Sequence, residues 1–217
     1  VDLGFAYLET DVHATADGRV LAFHDVALDR VTDRAGRISE LSWAQVSEAR
    51  IDGTEPIPLL EDLFTAFPGV KINIDPKDDN VVDPLVEVLR EHAALDRVCL
   101  GSFSDRRLRR CRELLGPGLC TSAGPLAVSL VRLSSFGLPT GRPSAQCLQV
   151  PVRQGRIPIV DRRFVGHAHD RGLQAHVWTI DDPTEMHRLL DLGVDGIMTD
   201  QPSLLRSVLI EREDWVA

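Results

Sequence analysis

Residues 174–199 read QAHVWTIDDPTEMHRLLDLGVDGIMT, and this stretch decides the fold class. Gln174–Thr179 is a short apolar run with strand alternation, Pro183–Leu192 carries its apolar residues at helical spacing, and Gly193 stands where a helix C-cap belongs. Gly196–Thr199 then reads as a second strand. Strand, helix and strand in that order form a βαβ unit, and such units build parallel sheets.

The same alternation runs back along the chain. Further strands are expected at Tyr7–His13, Val70–Asp75, Val98–Phe103, Gly118–Ser122 and Cys147–Pro151. Helices are expected at Val82–Ala93, Asp105–Leu115, Asp161–Arg171 and Gln201–Glu211, with Gly116 and Gly172 as further stops. In Val82–Ala93, Leu85, Val88 and Leu89 share a face, and Asp79 or Asn80 is a candidate N-cap. Arg19–His24, after the Asp17-Gly18 turn, is read as the return strand of a local hairpin.

Seven main strands in 217 residues amount to about 31 residues per unit, and eight such units make roughly 250 residues, the usual size of a (β/α)8 TIM-type barrel. An open doubly wound sheet is the competing α/β architecture, but no GxGxxG loop follows any strand. The expectation is one domain spanning residues 1–217. Because VDLGFAYLETDV opens like a helix tail, a glycine stop and a strand, strand 1 and most of helix 1 of the barrel are expected to precede Val1.

Composition narrows the function. At 43% hydrophobic and 26% charged residues the chain matches ordinary globular proteins, and no apolar run approaches the ~20 residues of a membrane span. A net charge of -9 argues against nucleic acid as a partner. The four cysteines are scattered with no CxxC pair, so they read as reduced and mostly buried thiols, pointing to a cytoplasmic rather than a secreted setting. Lys71 and Lys77 are the only lysines, which singles out any motif that contains one.

In a barrel of this type the active site lies at the C-terminal strand ends. Tyr7, Glu9, Asp11 and His13 share one face of their strand. Two carboxylates there repel each other unless a cation neutralises them, and oxygen ligands two residues apart suit Mg²⁺ or Ca²⁺. The run VLAFHD ends on His24-Asp25, an imidazole beside a carboxylate that could tune it for proton transfer. Val70–Lys77 reads VKINIDPK, closing a strand on a third carboxylate, Asp75, with Lys77 just beyond. Taken singly, each of these also fits an ordinary polar strand end or a packed histidine.

In this order the pieces resemble the glycerophosphodiester phosphodiesterase family. The matching motifs are Glu9-Thr10-Asp11-Val12, Thr15-Ala16-Asp17-Gly18, Val20–Asp25, Leu28-Asp29-Arg30-Val31-Thr32 with Gly36, and Ile57-Pro58-Leu59-Leu60-Glu61-Asp62. Asp75 and Lys77, Ser102-Phe103, Trp178-Thr179 and Gly193–Pro202 complete the set. The resemblance implies hydrolysis of a small-molecule glycerophosphodiester to glycerol 3-phosphate and an alcohol, with one divalent cation, Mg²⁺ or Ca²⁺. By the same resemblance Glu9, Asp11 and Asp75 would be metal ligands and His24 a catalytic histidine acting as general acid. Lys77 would contact the phosphoryl oxygens, and Trp178 and Phe103 would line the substrate.

Two departures carry expectations of their own. The family's HRG and PEN motifs, with a second histidine, an arginine and a glutamate ligand, are not found in this sequence. The chain by itself is therefore expected to be weak or inactive, with a gap between strands two and eight. Asp75 stands where the family usually has Glu, one methylene longer.

Other residues are read as structural: His167 and His169 as solvated, His176 as a hydrogen-bonded core residue, the arginines of Asp105–Leu115 as a solvated face, and Trp43 and Trp215 as packing residues. The competing functions are a catalytically inactive barrel that binds phosphodiester or lipid headgroups, and a related phospholipase-type phosphodiesterase.

Overall fold

A computed structural model describes residues 1–216. The chain forms two compact units, one of Ala6–Cys120 and one of Val1–Phe5 with the chain from Thr121 onward.

The first unit runs β1 (Tyr7–Ala14), β2 (Val20–Ala22), α1 (Trp43–Val46), β3 (Arg50–Ile51), β4 (Glu55–Pro56), α2 (Leu60–Ala66), β5 (Lys71–Pro76), α3 (Val82–Glu91), β6 (Val98–Leu100), α4 (Asp105–Leu115) and, at its boundary, β7 (Cys120–Thr121). The sheet order is β2-β1-β5-β6-β7. β1, β5 and β6 are parallel, in a register that sets Glu9 beside Asn73 and Asp11 beside Asp75. Only the last three residues of β1 pair with β2, antiparallel, as the hairpin reading required. Its turn is tied by the Thr15 hydroxyl, which donates to Asp17 Oδ1 at 2.6 Å and accepts from the Arg19 N–H at 2.9 Å.

Strand alternation sorts the side chains of β5. Ile72 and Ile74 are buried against Leu85 and Leu89 of α3 and Leu108 and Cys111 of α4. Each such burial contributes about 1.5–3 kcal/mol. Asn73 and Asp75 therefore point to the opposite face. A separate cluster of Leu21, Phe23, Leu28, Ile38, Val46, Ile57 and Leu59 packs the excursion after β2, which carries His24.

The second unit contains α5 (Pro125–Ser134), β8 (Cys147–Pro151), β9 (Arg153–Gln154), β10 (Ile157–Pro158), α6 (Arg162–Asp170), β11 (Gln174–Trp178), α7 (Pro183–Leu192), β12 (Gly196–Ile197) and α8 (Pro202–Glu211). Strands β12, β11 and β8 are parallel, with β11 central. Asp182 caps α7 by accepting from the Glu185 N–H at 2.8 Å, and Gly193 ends the helix at φ +87°, a conformation that favours glycine. Phe5 meets Trp215 edge-on at 5.0 Å, so Trp215 packs as expected. No described helix is long and apolar enough to cross a membrane.

The departures from expectation have local causes. Of Gly196–Thr199 only Gly196–Ile197 forms the strand proper; the Met198 N–H still donates to the Val177 carbonyl at 2.8 Å, and beyond it Asp181 Oδ1 accepts from the Thr199 hydroxyl at 2.8 Å and the Asp200 N–H at 2.9 Å. Neither Asp79 nor Asn80 caps α3: both lie in a 3₁₀ turn that feeds the helix, and the Asp79 carboxylate is drawn to Arg106 and Arg107 instead. Helices α1, α2 and α5 were not anticipated; the first two span only 4 and 7 residues, too short for a periodic signal.

Candidate active site

Glu9, Asp11, His24, Asp75, Lys77 and Phe103 all belong to the first unit, and Trp178 to the second. The parallel β1–β5 register makes Asp11 and Asp75 lateral neighbours, and strand alternation puts Glu9 on the face of Asp11. Pro76 is the last residue of β5, and the Lys77 N–H donates to the Val12 carbonyl at 3.1 Å, extending the ladder by one bond. From there the lysine turns back. Its Nζ lies 2.7 Å from Asp11 Oδ1 and 2.8 Å from Asp75 Oδ2, bridging the two carboxylates.

The main chain also delivers the histidine. The Phe23 N–H donates to the Asp11 carbonyl at 3.0 Å, so His24 emerges beside Asp11, its Nε2 3.6 Å from Asp11 Oδ2. His24 Nδ1 is 2.6 Å from Asp25 Oδ1. Arg30 grips Asp25 through Nε at 2.5 Å and Nη2 at 2.9 Å. Because an ionised carboxylate only accepts, this contact assigns the hydrogen to Nδ1 and leaves Nε2 as the working nitrogen. The Arg30 and His24 contacts hold the Asp25 carboxyl well below the usual carboxylate range. The His24 side chain is 76% exposed and open to a ligand.

Negative charge is in excess here. Burial, with Asp11 and Asp75 close by, pushes the Glu9 carboxyl up to about 7, only partly opposed by Lys77 and His24. Glu9 is nonetheless exposed at the edge of the group, so water screens much of this repulsion. Asp75 is raised by burial and by Asp11, while Lys77 and Arg107 pull it down. Burial alone would lower Lys77, but its bonds to Asp11 and Asp75 outweigh that and raise it. Three carboxylates of this kind are the donor chemistry of a hard divalent cation. Among the described residues, however, no three Asp, Glu, His or Cys side chains already converge as a metal cage. The Lys77 ammonium stands between Asp11 and Asp75 in that role.

Several supporting residues escaped the sequence reading. His13 is buried, with Nε2 3.1 Å from the His24 carbonyl and Nδ1 3.3 Å from Asp78 Oδ2, and so braces the chain at His24. Its place on the Glu9–Asp11 face was the available signal. Arg107 is not on a solvated face: its Nη1 donates to the Pro76 carbonyl at 2.7 Å and to Ser102 Oγ at 3.1 Å, locking the tip of β5. Nothing in its sequence neighbourhood distinguishes it from the other arginines of α4. Phe103 stands 67% exposed just beyond β6, and Trp178 closes β11 half-buried. His167 is not solvated either, since it bonds Ser134 at 2.7 Å and Arg171 at 2.9 Å, whereas His169 is exposed and pairs with Asp195. His176 bonds Gln174 at 3.2 Å and is only half-buried.

The profile of the glycerophosphoryl diester phosphodiesterase family matches residues 1–204. The chain belongs to this family. It is 41% identical to "Probable glycerophosphodiester phosphodiesterase 2" of Mycobacterium tuberculosis, over 98% of this chain and 83% of that protein. It is 27% identical to lysophospholipase D GDPD1 of Rattus norvegicus, over 96% of this chain and 78% of that one. Among solved structures, an Oleispira antarctica phosphodiesterase in complex with the product sn-glycerol-3-phosphate superposes with a TM-score of 0.78 at 24% identity, covering 96% of this chain and 87% of that one. A glycerophosphodiester phosphodiesterase from Agrobacterium tumefaciens gives 0.76 at 20% identity, covering 95% and 88%. These likenesses give the chain the TIM-type α/β barrel fold expected from its sequence. As a glycerophosphodiester phosphodiesterase family member it is a phosphoric diester hydrolase.

Proposed function

We propose that this phosphodiesterase releases glycerol 3-phosphate and an alcohol from glycerophosphodiesters, with His24 as general acid and a divalent cation held by Glu9, Asp11 and Asp75. The observation that carries this reading is the pair of contacts at Asp11, whose carboxylate lies 2.7 Å from Lys77 and 3.6 Å from an exposed His24. A phosphodiester anion resists attack by water because its oxygens repel the incoming lone pair. Fixed positive charge beside those oxygens lowers that barrier.

In the proposed reaction the substrate phosphate approaches Lys77, which contacts its non-bridging oxygens. Water supplies the oxygen that bonds to phosphorus, and the bond from phosphorus to the departing alcohol oxygen breaks. His24, carrying a hydrogen on both ring nitrogens, gives that alkoxide the proton on Nε2, and the proton lost by the attacking water restores it once the alcohol has left, while Asp25, clamped by Arg30, keeps the ring oriented. When bound, the cation neutralises phosphoryl charge and supplies Lewis acidity. Mg²⁺ and Ca²⁺ both suit an all-carboxylate donor set, and Asp75 gives shorter reach than the glutamate usual in the family. Phe103 and Trp178 are proposed, on the strength of their motifs, to contact the carbon skeleton of the substrate.

The test, run on the full-length protein, is release of glycerol 3-phosphate from glycerophosphocholine and glycerophosphoethanolamine, with Mg²⁺, with Ca²⁺ and with chelator, alongside His24→Ala. Metal-dependent release that His24→Ala abolishes is the expected result. Release that persists in folded His24→Ala would remove the histidine from the mechanism, and release that survives chelator would remove the cation.

A further inference from the structure

Residues 114–160 contain no Asp or Glu, although acidic residues outnumber basic ones 33 to 24 in the whole chain. The stretch carries Arg132, Arg142, Arg153 and Arg156, with Arg162 and Arg163 directly after it. It also holds six of the thirteen large apolar side chains that stand exposed among the described residues. Charge and exposed apolar surface thus concentrate in one place on a protein that is otherwise acidic.

The local structure makes a face of them. Leu126, Leu130 and Leu133 are spaced four and three apart on α5, which aligns them along one side of the helix, and all three are exposed. Val131 and Ser134 are buried on the flank of the helix next to Leu130. The helix is therefore apolar outward as well as inward. Just past it, Phe136 is 58% exposed, with the Arg132 guanidinium 4.7 Å and the Arg163 guanidinium 5.1 Å from its ring centre. Arg132 also bonds Asp161, the first acid after the stretch, at 2.6 Å, and the Pro158 carbonyl at 3.4 Å. That ties α5 to the start of α6 and to the β9–β10 hairpin, where Ile157 is 65% exposed between Arg156 and Pro158.

A second copy of the chain is a poor occupant, because it would set arginines against arginines. An anionic lipid surface meets both demands at once. Leucine and phenylalanine enter the boundary of the acyl region while Arg153 and Arg156 of the neighbouring hairpin contact headgroup phosphates. We propose that α5, the loop after it and the β9–β10 hairpin dock this protein on an anionic phospholipid surface.

The experiment is co-sedimentation of the full chain with vesicles of phosphatidylcholine alone, or with about 30% phosphatidylglycerol, at low and high salt. Binding is expected only with the anionic lipid and should weaken at least tenfold when salt rises from roughly 50 to 500 mM. Leu130→Asp with Leu133→Asp should reduce binding at least tenfold, and Arg153→Ala with Arg156→Ala about fivefold per arginine. Should the helix variant unfold, Leu138→Asp and Ile157→Asp, in the loop and the hairpin, serve in its place. No binding to anionic vesicles, equal binding to neutral ones, or binding untouched by the variants in folded protein overturns the proposal. Self-association through these leucines, seen by light scattering in protein that ignores vesicles, overturns it as well.

Discussion

Lys77→Met would leave Asp11 and Asp75 side by side across the β1–β5 ladder with no ammonium between them. The three side chains are 26%, 10% and 13% exposed, so water can do little to separate the two negative charges. Removing one partner of a buried ion pair costs about 3–5 kcal/mol. Lys77 keeps a quarter of its surface in solvent, and the stranded carboxylates can relieve the repulsion by taking up a proton, so the low end, about 3 kcal/mol, is expected at pH 8. The pH dependence follows from the direction of the Asp75 shift. Burial already holds the folded-state value above the ordinary 3.8, and loss of Lys77 raises it further. A carboxyl whose folded pKa lies above its unfolded one destabilises the fold above the unfolded pKa, and that penalty disappears below it. The deficit of Lys77→Met relative to the parent should therefore be full at pH 8 and shrink towards pH 4. Urea unfolding followed by circular dichroism across that range measures it. Lys71→Met, which loses only the exposed contact to Tyr7, is the control and should cost less than about 0.5 kcal/mol. A deficit for Lys77→Met no larger than the control at pH 8, or one that does not diminish on acidification, would refute the view that the ammonium holds these carboxylates together.

Three other outcomes are expected. Glu9→Gln removes a carboxyl pushed up to about 7, so metal-free protein should gain about 1 kcal/mol at pH 8 and nothing below pH 4.5, the modest size reflecting the solvent-exposed edge of Glu9; the same change should weaken calorimetric Mg²⁺ or Ca²⁺ binding at least tenfold if Glu9 is a ligand. Asp25→Asn keeps the shape of the Arg30 clamp but takes away the obligate acceptor at His24 Nδ1, and kcat should fall about tenfold or more with KM little changed in steady-state assays. Arg107→Met strands the Pro76 carbonyl and breaks the contacts to Ser102 and Asp79, a loss of about 2–3 kcal/mol readable as a lowered Tm.

Much of the architecture was legible because it depends on periodicity. A period-two run such as VKINID declares both that it is a strand and which face of it is polar, and a period near 3.6 followed by Gly193 declares a helix and its end. The hairpin at Val20–Ala22 was legible from its Asp-Gly turn. Illegible were the places where a side chain outbids the backbone ladder. Asp181 captures Thr199 and the Asp200 N–H just beyond β12, and Asp79 is taken by arginines on α4 rather than capping α3. Those partners are 18 residues or more away, beyond the reach of any local pattern.

The same division holds at the candidate site. Residue types and their order are readable along the chain: Glu9 and Asp11 on one strand face, His24-Asp25 at the end of an apolar run, and Asp75 and Lys77 flanking a proline. Local chemistry and spacing suffice for that, because alternation along a strand is a property of the chain. Which of these groups touch follows from the folded arrangement of the strands. The parallel register sets Asp11 beside Asp75, the Phe23-to-Asp11 bond brings His24 alongside, and Lys77 folds back between the carboxylates. Arg107, one arginine among five on α4, acquires its place through contacts 31 residues away. Hydrogen bonds and ion pairs act over a few ångströms in space whatever the separation along the chain, so their partners are set by how the sheet and helices pack.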